Sequence, residues 1–328
     1  MTDRVAAAAD PAPAAAESRA EVDVRPARAV LRADRRRSAV GFSMALPPVL
    51  LIMLFVGLPV VLAIGFSLGM TGGLNSVAAA IGQDVYEAEG LVTFDAYRQL
   101  FADPRFTRDL AATVLVTVAT TLITLGLAIG IAVHLRLRGG WAGTLLSSLG
   151  VVPLFVPVVI ASWAILTFYS GDGFLRSVFA QLGLEGPTFG FTVPGVIIAS
   201  VWVNLPFALL MASSGMQGVP DALIDAARDA GASTLTIVAR VLAPLAGIPL
   251  VIAATFTAIG VLGQFTVPYF TGPNAPQQLG VDISKYFQAF NRPQQAAAIA
   301  VVVFLVASGV AALYVWANFR SAKDEGRV

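Results

Sequence analysis

Long apolar runs alternate with short polar segments along most of this chain. Six of the runs have almost no charged residue and about 20 residues or more, the length that an α-helix needs to cross the hydrocarbon core of a bilayer. We predict transmembrane helices at residues 41–69, 109–133, 141–169, 193–216, 248–267 and 296–319. The chain is therefore predicted to be an all-α polytopic membrane protein with a membrane domain of residues 41–319.

The polar segment between the fourth and fifth apolar runs, residues 217–245, has the local signals of two short helices. Pro220 suits a first helical turn, where its missing N–H costs nothing, and Asp221 complements the positive end of the helix dipole. Gly231 is expected to end this helix, and Ser233 can cap a second one. These signals predict a helix–turn–helix hairpin, which is a structured element rather than a simple connector.

The composition agrees with a membrane protein and excludes several kinds of site. Hydrophobic residues make up 57% of the 328 residues and charged residues 12%, whereas soluble domains contain about 25% charged residues. The net charge of +1 gives no indication of nucleic-acid binding. The sequence contains no cysteine and one histidine, His134, which we interpret as an interfacial residue at a helix end. Disulfides, thiolate metal sites and multi-histidine metal sites are therefore excluded.

Basic residues indicate the side of the membrane on which each polar segment lies. Residues 1–40 carry eight arginines and six acids without an apolar period, so we predict a disordered cytoplasmic tail. A twin-arginine export signal is an alternative interpretation of Arg35–Arg37, but the many later spans favour a membrane anchor. Fifteen Lys and Arg residues lie in the two tails and the second and fourth loops, against six in the other loops. Both termini, including residues 320–328, and the hairpin are predicted to be cytoplasmic.

The sequence lacks the motifs of several catalytic and energy-coupling machineries. A nucleotide-binding phosphate loop needs Gly-x4-Gly-Lys followed by Ser or Thr, and neither Lys285 nor Lys323 stands in that pattern. No G-x-S-x-G or H-E-x-x-H sequence occurs, and the spans contain almost no ionisable residue of the kind that proton-coupled carriers use. We therefore predict a non-catalytic transport subunit that draws its energy from a separate protein.

The hairpin also carries a pattern that is typical of one family of transporters. Its residues match the order and spacing of the loop written EAA---G---------I-LP: Asp225, Ala226, Ala227, Gly231, Val241, Ala243 and Pro244. Conservative replacements stand at three positions of the pattern: Asp225, Val241 and Ala243. In this loop the chain resembles the permease subunits of bacterial binding-protein-dependent ABC importers. An ordinary amphipathic hairpin is the alternative interpretation.

The resemblance extends over residues 45–320 and implies an architecture and a set of partners. The fold would be the six-helix core of a type I ABC importer permease, with the cytoplasmic hairpin as its coupling loop. The expected partners are an ABC ATPase dimer that binds ATP and Mg, a second permease that we expect to be a paralogue, an extracytoplasmic solute-binding protein and membrane lipid. The chain itself would bind no cofactor, and its location would be the bacterial inner membrane. A stand-alone secondary carrier or channel and a non-transporting scaffold are the alternative hypotheses.

The solute is predicted as a small polar organic molecule of one of two kinds. The Gly215–Pro220 sequence resembles the sugar and glycerol-phosphate group of these permeases, whereas Phe265–Pro268 and Gly272–Pro276 resemble the spermidine/putrescine group. Both alternatives stay open. Aromatic and amide side chains within spans can stack on such solutes or hydrogen bond to them, which predicts four pathway residues: Trp163, Trp202, Asn204 and Gln264. The alternative is that these side chains pack in the core or hydrogen bond across helices.

Overall fold

The computed structural model describes the backbone of residues 42–324 and the side chains of residues 42–316. These residues form helices joined by loops, and no strand occurs among them. The predicted all-α class is confirmed. The predicted N-terminal tail, residues 1–40, and residues 325–328 of the predicted C-terminal tail lie outside the described residues.

We number the helices of the described residues in chain order. They are α1 (Phe42–Ser67), α2 (Ser76–Ile81), α3 (Asp95–Ala102), α4 (Pro104–Leu137), α5 (Gly140–Val151), α6 (Val158–Tyr169), α7 (Phe174–Gln181), α8 (Val193–Gln217), α9 (Asp221–Asp229), α10 (Thr234–Leu245), α11 (Gly247–Leu262), α12 (Thr266–Thr271), α13 (Leu279–Gln288) and α14 (Pro293–Asp324).

Five helical segments between residues 42 and 324 are long and apolar enough to cross a membrane: α1, α4, the segment of α6 and α7, α8 and α14. A sixth crossing results if α10 and α11, which meet at an angle of 77°, are counted as one span. α5 is a shorter apolar helix. The described residues thus contain five candidate spans, or six if the bent pair counts as one.

The third apolar run is interrupted, which differs from the single helix expected over residues 141–169. α5 tightens into a 3₁₀ turn at Val152–Phe155, Val156 is extended with φ −106° and ψ 121°, and α6 begins only at Val158. Pro157 explains the break, because proline has no N–H and disfavours the helical conformation in the residue before it.

The chain forms two compact units with a boundary after Pro59. In the first unit the described residues are the first part of α1, and large apolar side chains there are exposed, for example 70% of Phe42 and 70% of Phe55. α1 widens to a π turn at Met53–Gly57, just before Pro59. A proline inside a helix removes one backbone hydrogen bond, and such a wide turn accommodates the loss.

The core of the second unit, from Val60 onwards, is built around the pair of α4 and α8, and α11 packs against both. Gly215 of α8 lies so close to α11 that an added Cβ would be 2.9 Å from Cβ of Pro249. Small side chains allow such close packing where membrane helices meet. Four alanines of the α4–α8 contact are at most 1% exposed: Ala128, Ala132, Ala208 and Ala212.

The N-terminal end of α4 is covered by the loop that joins α12 to α13. The Asp109 carboxylate accepts the N–H of Gln277 at 3.0 Å, and the Thr113 hydroxyl accepts the N–H of Leu279 at 3.0 Å. Asp282 of α13 is also buried here and hydrogen bonds to Asp109. Burial, and then the neighbouring Asp109 carboxylate, raise the pKa of Asp282 to about 7. The hairpin of α9 and α10 lies at the opposite end of α4.

Candidate functional site

The hairpin of α9 and α10, residues 221–245, has one face packed on the helix bundle. Ile224 and Ile237 are 2% and 3% exposed, and Leu242 is fully buried. All three belong to one apolar cluster with Ala212 and Met216 of α8. Each buried aliphatic side chain contributes about 1.5–3 kcal/mol relative to an exposed one. The hairpin is therefore a fixed part of the bundle and not a loosely attached loop.

The turn between α9 and α10 is a Schellman motif centred on Gly231. The N–H of Ala232 donates to the carbonyl of Ala227 at 3.0 Å, and the N–H of Gly231 donates to that of Arg228 at 2.8 Å. Gly231 has φ +77°, the left-handed conformation that glycine adopts without strain. An added Cβ at Gly231 would meet nothing within 4 Å. The residue is thus constrained by its backbone angle and borders open space.

α10, the second helix of the hairpin, starts after Ser233, the predicted cap, and contains Pro244 near its end. The Ser233 hydroxyl accepts the N–H of Thr236 at 3.3 Å and caps α10. α10 widens to a π turn at Val238–Leu242, which ends two residues before Pro244. The first arm differs slightly from the prediction, because Pro220 precedes α9 instead of forming its first turn. Asp221 therefore takes the first helical position, where its charge complements the helix dipole.

The residues of the EAA-like pattern divide between the two faces of the hairpin. Asp225, Ala226 and Pro244 are exposed. Ala227 and Val241 are half-buried and pack against the apolar cluster. Asp225 lies in the second turn of α9, and Arg228 donates to its carboxylate at 3.2 Å.

Two arginines attach the hairpin to the C-terminal end of α4. Arg136 of α4 donates to the backbone carbonyls of Met216 and Val219 at 3.1 and 2.8 Å, and also to the Asp221 carboxylate. Arg228 of α9 donates to the carbonyl of Leu137 at 3.3 Å. The sequence pattern placed Arg136 only in a short basic turn, because its partners lie about 80 positions further along the chain and no local signal marks them.

Among the residues that the structure describes, no group of three His, Cys, Asp or Glu side chains is placed to hold a metal ion. Neither the hairpin nor its surroundings therefore offers a metal centre. What the hairpin presents at one end of the bundle is a partly polar surface, with Asp225, Ala226 and Pro244 exposed.

Comparison with known proteins agrees with this geometry. The family model for the binding-protein-dependent transport system inner membrane component matches residues 123–321, more than half of the chain. The chain belongs to this family. It is a membrane permease of an ABC importer, so the predicted resemblance, fold class and function are confirmed. Membrane subunits of this family are non-catalytic, and ATP is hydrolysed by a partner ATPase.

Relatives of the permease act on different solutes. The sulfoquinovosyl glycerol transport system permease protein SmoG of Agrobacterium fabrum is 27% identical, over 82% of this chain and 86% of that protein. The trehalose transport system permease protein SugA of Mycobacterium tuberculosis is 25% identical, over 90% of this chain and 94% of that protein. The spermidine/putrescine transport system permease protein PotB of Escherichia coli is 28% identical, over 67% and 77%.

A solved structure has the same fold as the permease. A chain of the bacterial alginate ABC transporter, in complex with an alginate pentasaccharide-bound periplasmic protein, matches with a TM-score of 0.68 at 17% identity. The match covers 89% of this chain and 97% of that one. The helices and their connections are therefore those of a type I importer permease.

The structure brings two of the four predicted pathway residues of the permease into one polar cluster. Gln264 donates to the Ser200 hydroxyl at 2.8 Å and to the Gln278 side chain at 3.1 Å, so it connects the region after α11 with α8 and with the loop before α13. Asn204 donates to the carbonyl of Ser200 at 2.7 Å. Both amides thus take part in hydrogen bonds within the protein.

The two predicted tryptophans of the permease lie elsewhere. Trp202 of α8 lines a cavity of about 490 Å³ whose wall also contains Phe168 and Tyr169 of α6. Trp163 of α6 is 55% exposed and contacts the Phe270 ring, with centroids 6.2 Å apart. The aromatic cavity beside Trp202 has the apolar walls typical of small-molecule pockets.

Proposed function

We propose that the hairpin of α9 and α10 is the element through which the ATPase subunit drives this permease. The observation that carries the proposal is the division of the hairpin into a face buried in the bundle and a face that carries Asp225, Ala226 and Pro244 at the surface. A docking element needs both properties, because it must bind a partner and also move the spans to which it is attached. Six residues of the family pattern are assigned to this coupling: Asp225, Ala226, Ala227, Gly231, Val241 and Pro244.

The complete importer, in our proposal, contains this permease, a paralogous second permease, an ATPase dimer with ATP and Mg, and an extracytoplasmic solute-binding protein. Both termini and the hairpin lie on the cytoplasmic side of the inner membrane, as the excess of Lys and Arg in the corresponding segments supports. The membrane domain covers residues 41–319 between two cytoplasmic tails, residues 1–40 and 320–328. ATP binding closes the ATPase dimer, and the hairpins carry this motion to the spans.

For the solute we propose a carbohydrate or sugar conjugate. The support is that two relatives whose names state such solutes match 82% and 90% of this chain. A polyamine is the second candidate, because PotB matches at a similar identity over 67% of the chain. The proposed pathway residues remain Trp163, Trp202, Asn204 and Gln264, and the aromatic cavity beside Trp202 supports stacking on a sugar face.

The test uses Gly231→Trp in the assembled importer, reconstituted in liposomes with its binding protein. The indole side chain enters open space on the ATPase-facing side, so we expect the complex to hydrolyse ATP with little solute uptake. The matched control is Gly183→Trp. Gly183 also has a positive φ, +70°, and its added Cβ would likewise meet nothing within 4 Å, so the substitution imposes the same kind of backbone strain, but Gly183 lies in the loop after α7.

Uptake at the wild-type rate in Gly231→Trp would show that the hairpin does not couple the two subunits. Equal losses in both variants would assign the effect to backbone strain and would also count against coupling. Solute uptake by the purified chain alone, without nucleotide, would support the stand-alone carrier instead.

A further inference from the structure

Arg136 stands one residue before the end of α4 and reaches across to two other elements. Its Nε donates to the Met216 carbonyl in the last turn of α8, at 3.1 Å. Its Nη2 donates to the Val219 carbonyl at 2.8 Å and to the carboxylate of Asp221, the first residue of α9. One guanidinium therefore connects the end of α4, the end of α8 and the start of the hairpin.

The three contacts of Arg136 differ in their environment. The Arg136 side chain is 17% exposed, whereas the Asp221 side chain is 79% exposed. An ion pair with an exposed carboxylate contributes little. The bonds to the two carbonyls are expected to contribute more, because the Arg136 side chain that makes them is mostly buried. The Met216 carbonyl lies in the last turn of α8, where helix carbonyls carry a negative partial charge, and the Val219 carbonyl lies in the segment between α8 and α9. A guanidinium is planar and stays charged, so it can hold several acceptors in one geometry.

A second contact has its donor on the hairpin and its acceptor on α4. Arg228 of α9 donates to the Leu137 carbonyl, the last residue of α4, at 3.3 Å, and to Asp225 in its own helix at 3.2 Å. The hairpin and α4 thus each contribute an arginine to the other element.

We infer that Arg136 is a positioning residue that makes α4 move together with the hairpin when the ATPase closes. The inference rests on the proposed coupling role of the hairpin. α8 follows the hairpin directly through the chain, since only residues 218–220 separate them. α4 has no such covalent link. Arg136 connects it to the end of α8, to the segment that leads into the hairpin and to Asp221, and Arg228 of the hairpin bonds back to Leu137.

The inference is tested with Arg136→Gln and Arg136→Lys in the complete importer, reconstituted with its binding protein. Glutamine removes both the positive charge and the planar guanidinium group, whereas lysine keeps the positive charge but not the guanidinium group. The measured quantity is the number of ATP molecules hydrolysed per solute imported. We expect Arg136→Gln to raise it about fivefold or more, which is the lower end for energetic coupling between two sites. Arg136→Lys is expected to give an intermediate value.

Arg138→Gln is the matched control, because Arg138 is exposed and lies two residues further along. It removes the same charge from the same end of α4 and is expected to leave the ratio unchanged. A residue that merely stabilised the fold would lower the yield of the importer without changing the ATP cost of each solute.

A spectroscopic measurement reports the attachment without relying on transport. Since the sequence has no cysteine, a spin label at Ala222→Cys on the exposed side of α9 is the single label in this chain. We expect Arg136→Gln, and not Arg138→Gln, to broaden the distribution of label positions in the assembled importer.

The outcomes separate this inference from the proposed function. If Gly231→Trp uncouples the importer while Arg136→Gln keeps the wild-type ratio, the hairpin couples but Arg136 does not position α4. If neither variant changes the ratio, both proposals fail. If the importer with Arg136→Gln does not assemble, the Arg136→Lys variant takes its place. A wild-type ratio of ATP hydrolysed to solute imported, together with an unchanged distribution of spin-label positions, would then overturn the inference.

Discussion

Asp282 illustrates how burial changes the chemistry of a single side chain in this permease. The residue is 5% exposed, and its carboxyl group faces Asp109 and Arg105 of α4, with Lys285 on its own helix. Loss of solvation is the largest effect and the Asp109 carboxylate adds to it, so the pKa rises from 3.8 to about 7. The two basic groups oppose this rise without offsetting it. The ionised form of Asp282 therefore destabilises the folded state.

We predict that Asp282→Asn stabilises the permease at pH 8 and has no such effect below about pH 4. In the folded state the Asp282 carboxyl group keeps its proton up to about pH 7, whereas in the unfolded state it loses the proton near pH 3.8. The stability of the wild-type protein therefore falls as the pH rises between these two values. Asparagine stays neutral and its amide can still donate to Asp109. The expected gain at pH 8 is about 2–4 kcal/mol. Thermal unfolding in detergent at several pH values measures it.

The control for this prediction is Asp172→Asn, because Asp172 is exposed in the loop between α6 and α7. Its unfolding temperature is expected to follow the wild-type pH dependence. If the unfolding temperature of Asp282→Asn depended on pH in the same way as that of the wild-type protein, Asp282 would have to titrate near its ordinary pKa.

At the scale of helices, the contact of α8 with α11 depends on the absence of a side chain at Gly215. A Cβ there would lie 2.9 Å from Cβ of Pro249 and 3.1 Å from Cβ of Ala246, and neither neighbour can turn away by changing rotamer. We predict that Gly215→Ala lowers the free energy of unfolding by about 1–3 kcal/mol, because the helices must separate. Thermal unfolding of the purified chain in detergent checks this value.

Gly130→Ala is the matched variant for the same measurement. Gly130 is an exposed residue inside α4 whose added Cβ would meet nothing within 4 Å. We expect it to stabilise the permease by about 0.5–1 kcal/mol, since alanine favours the helical conformation. If both Gly215→Ala and Gly130→Ala raised the free energy of unfolding, α8 and α11 would have to have room for the added methyl group.

Elements with local signals could be predicted from the sequence. The hairpin is the best case, because Gly231 and Ser233 determine its turn and its second cap through bonds that span five residues or fewer. The break before α6 was not predicted. Prolines inside membrane helices are tolerated when neighbours supply hydrogen bonds, so Pro157 alone does not tell whether the helix ends.

Contacts between distant segments could not be predicted. Arg136 bonds to residues 80 and 83 positions away, and Asp109 accepts the N–H of a residue 168 positions away. Neither side chain stands in a motif, and each would look like an ordinary charge at the edge of a span. The same holds for Gln264, whose bonds to Ser200 and Gln278 appear only when α8 and the loop before α13 are packed together.

For the whole molecule, the proposed orientation predicts which loops a reagent can reach from outside the cell. Cysteine is absent from the sequence, so Leu184→Cys and Ala222→Cys each introduce a unique thiol at an exposed position. We expect a membrane-impermeant maleimide to label Leu184→Cys in intact spheroplasts and Ala222→Cys only after lysis. Labelling in the reverse order would invert the topology and would place the hairpin where no ATPase can reach it.

α4 runs from Asp109 to Arg136 without a proline, a distance of about 40 Å at 1.5 Å per residue. Such a helix behaves as a rod of fixed length. If its hairpin end is drawn along the helix axis while the α12–α13 loop stays in place, the bonds that the N–H groups of Gln277 and Leu279 donate to Asp109 and Thr113 must change in length or angle. A movement of α4 at its hairpin end is therefore transmitted to the hydrogen bonds of Asp109 and Thr113 at its opposite end.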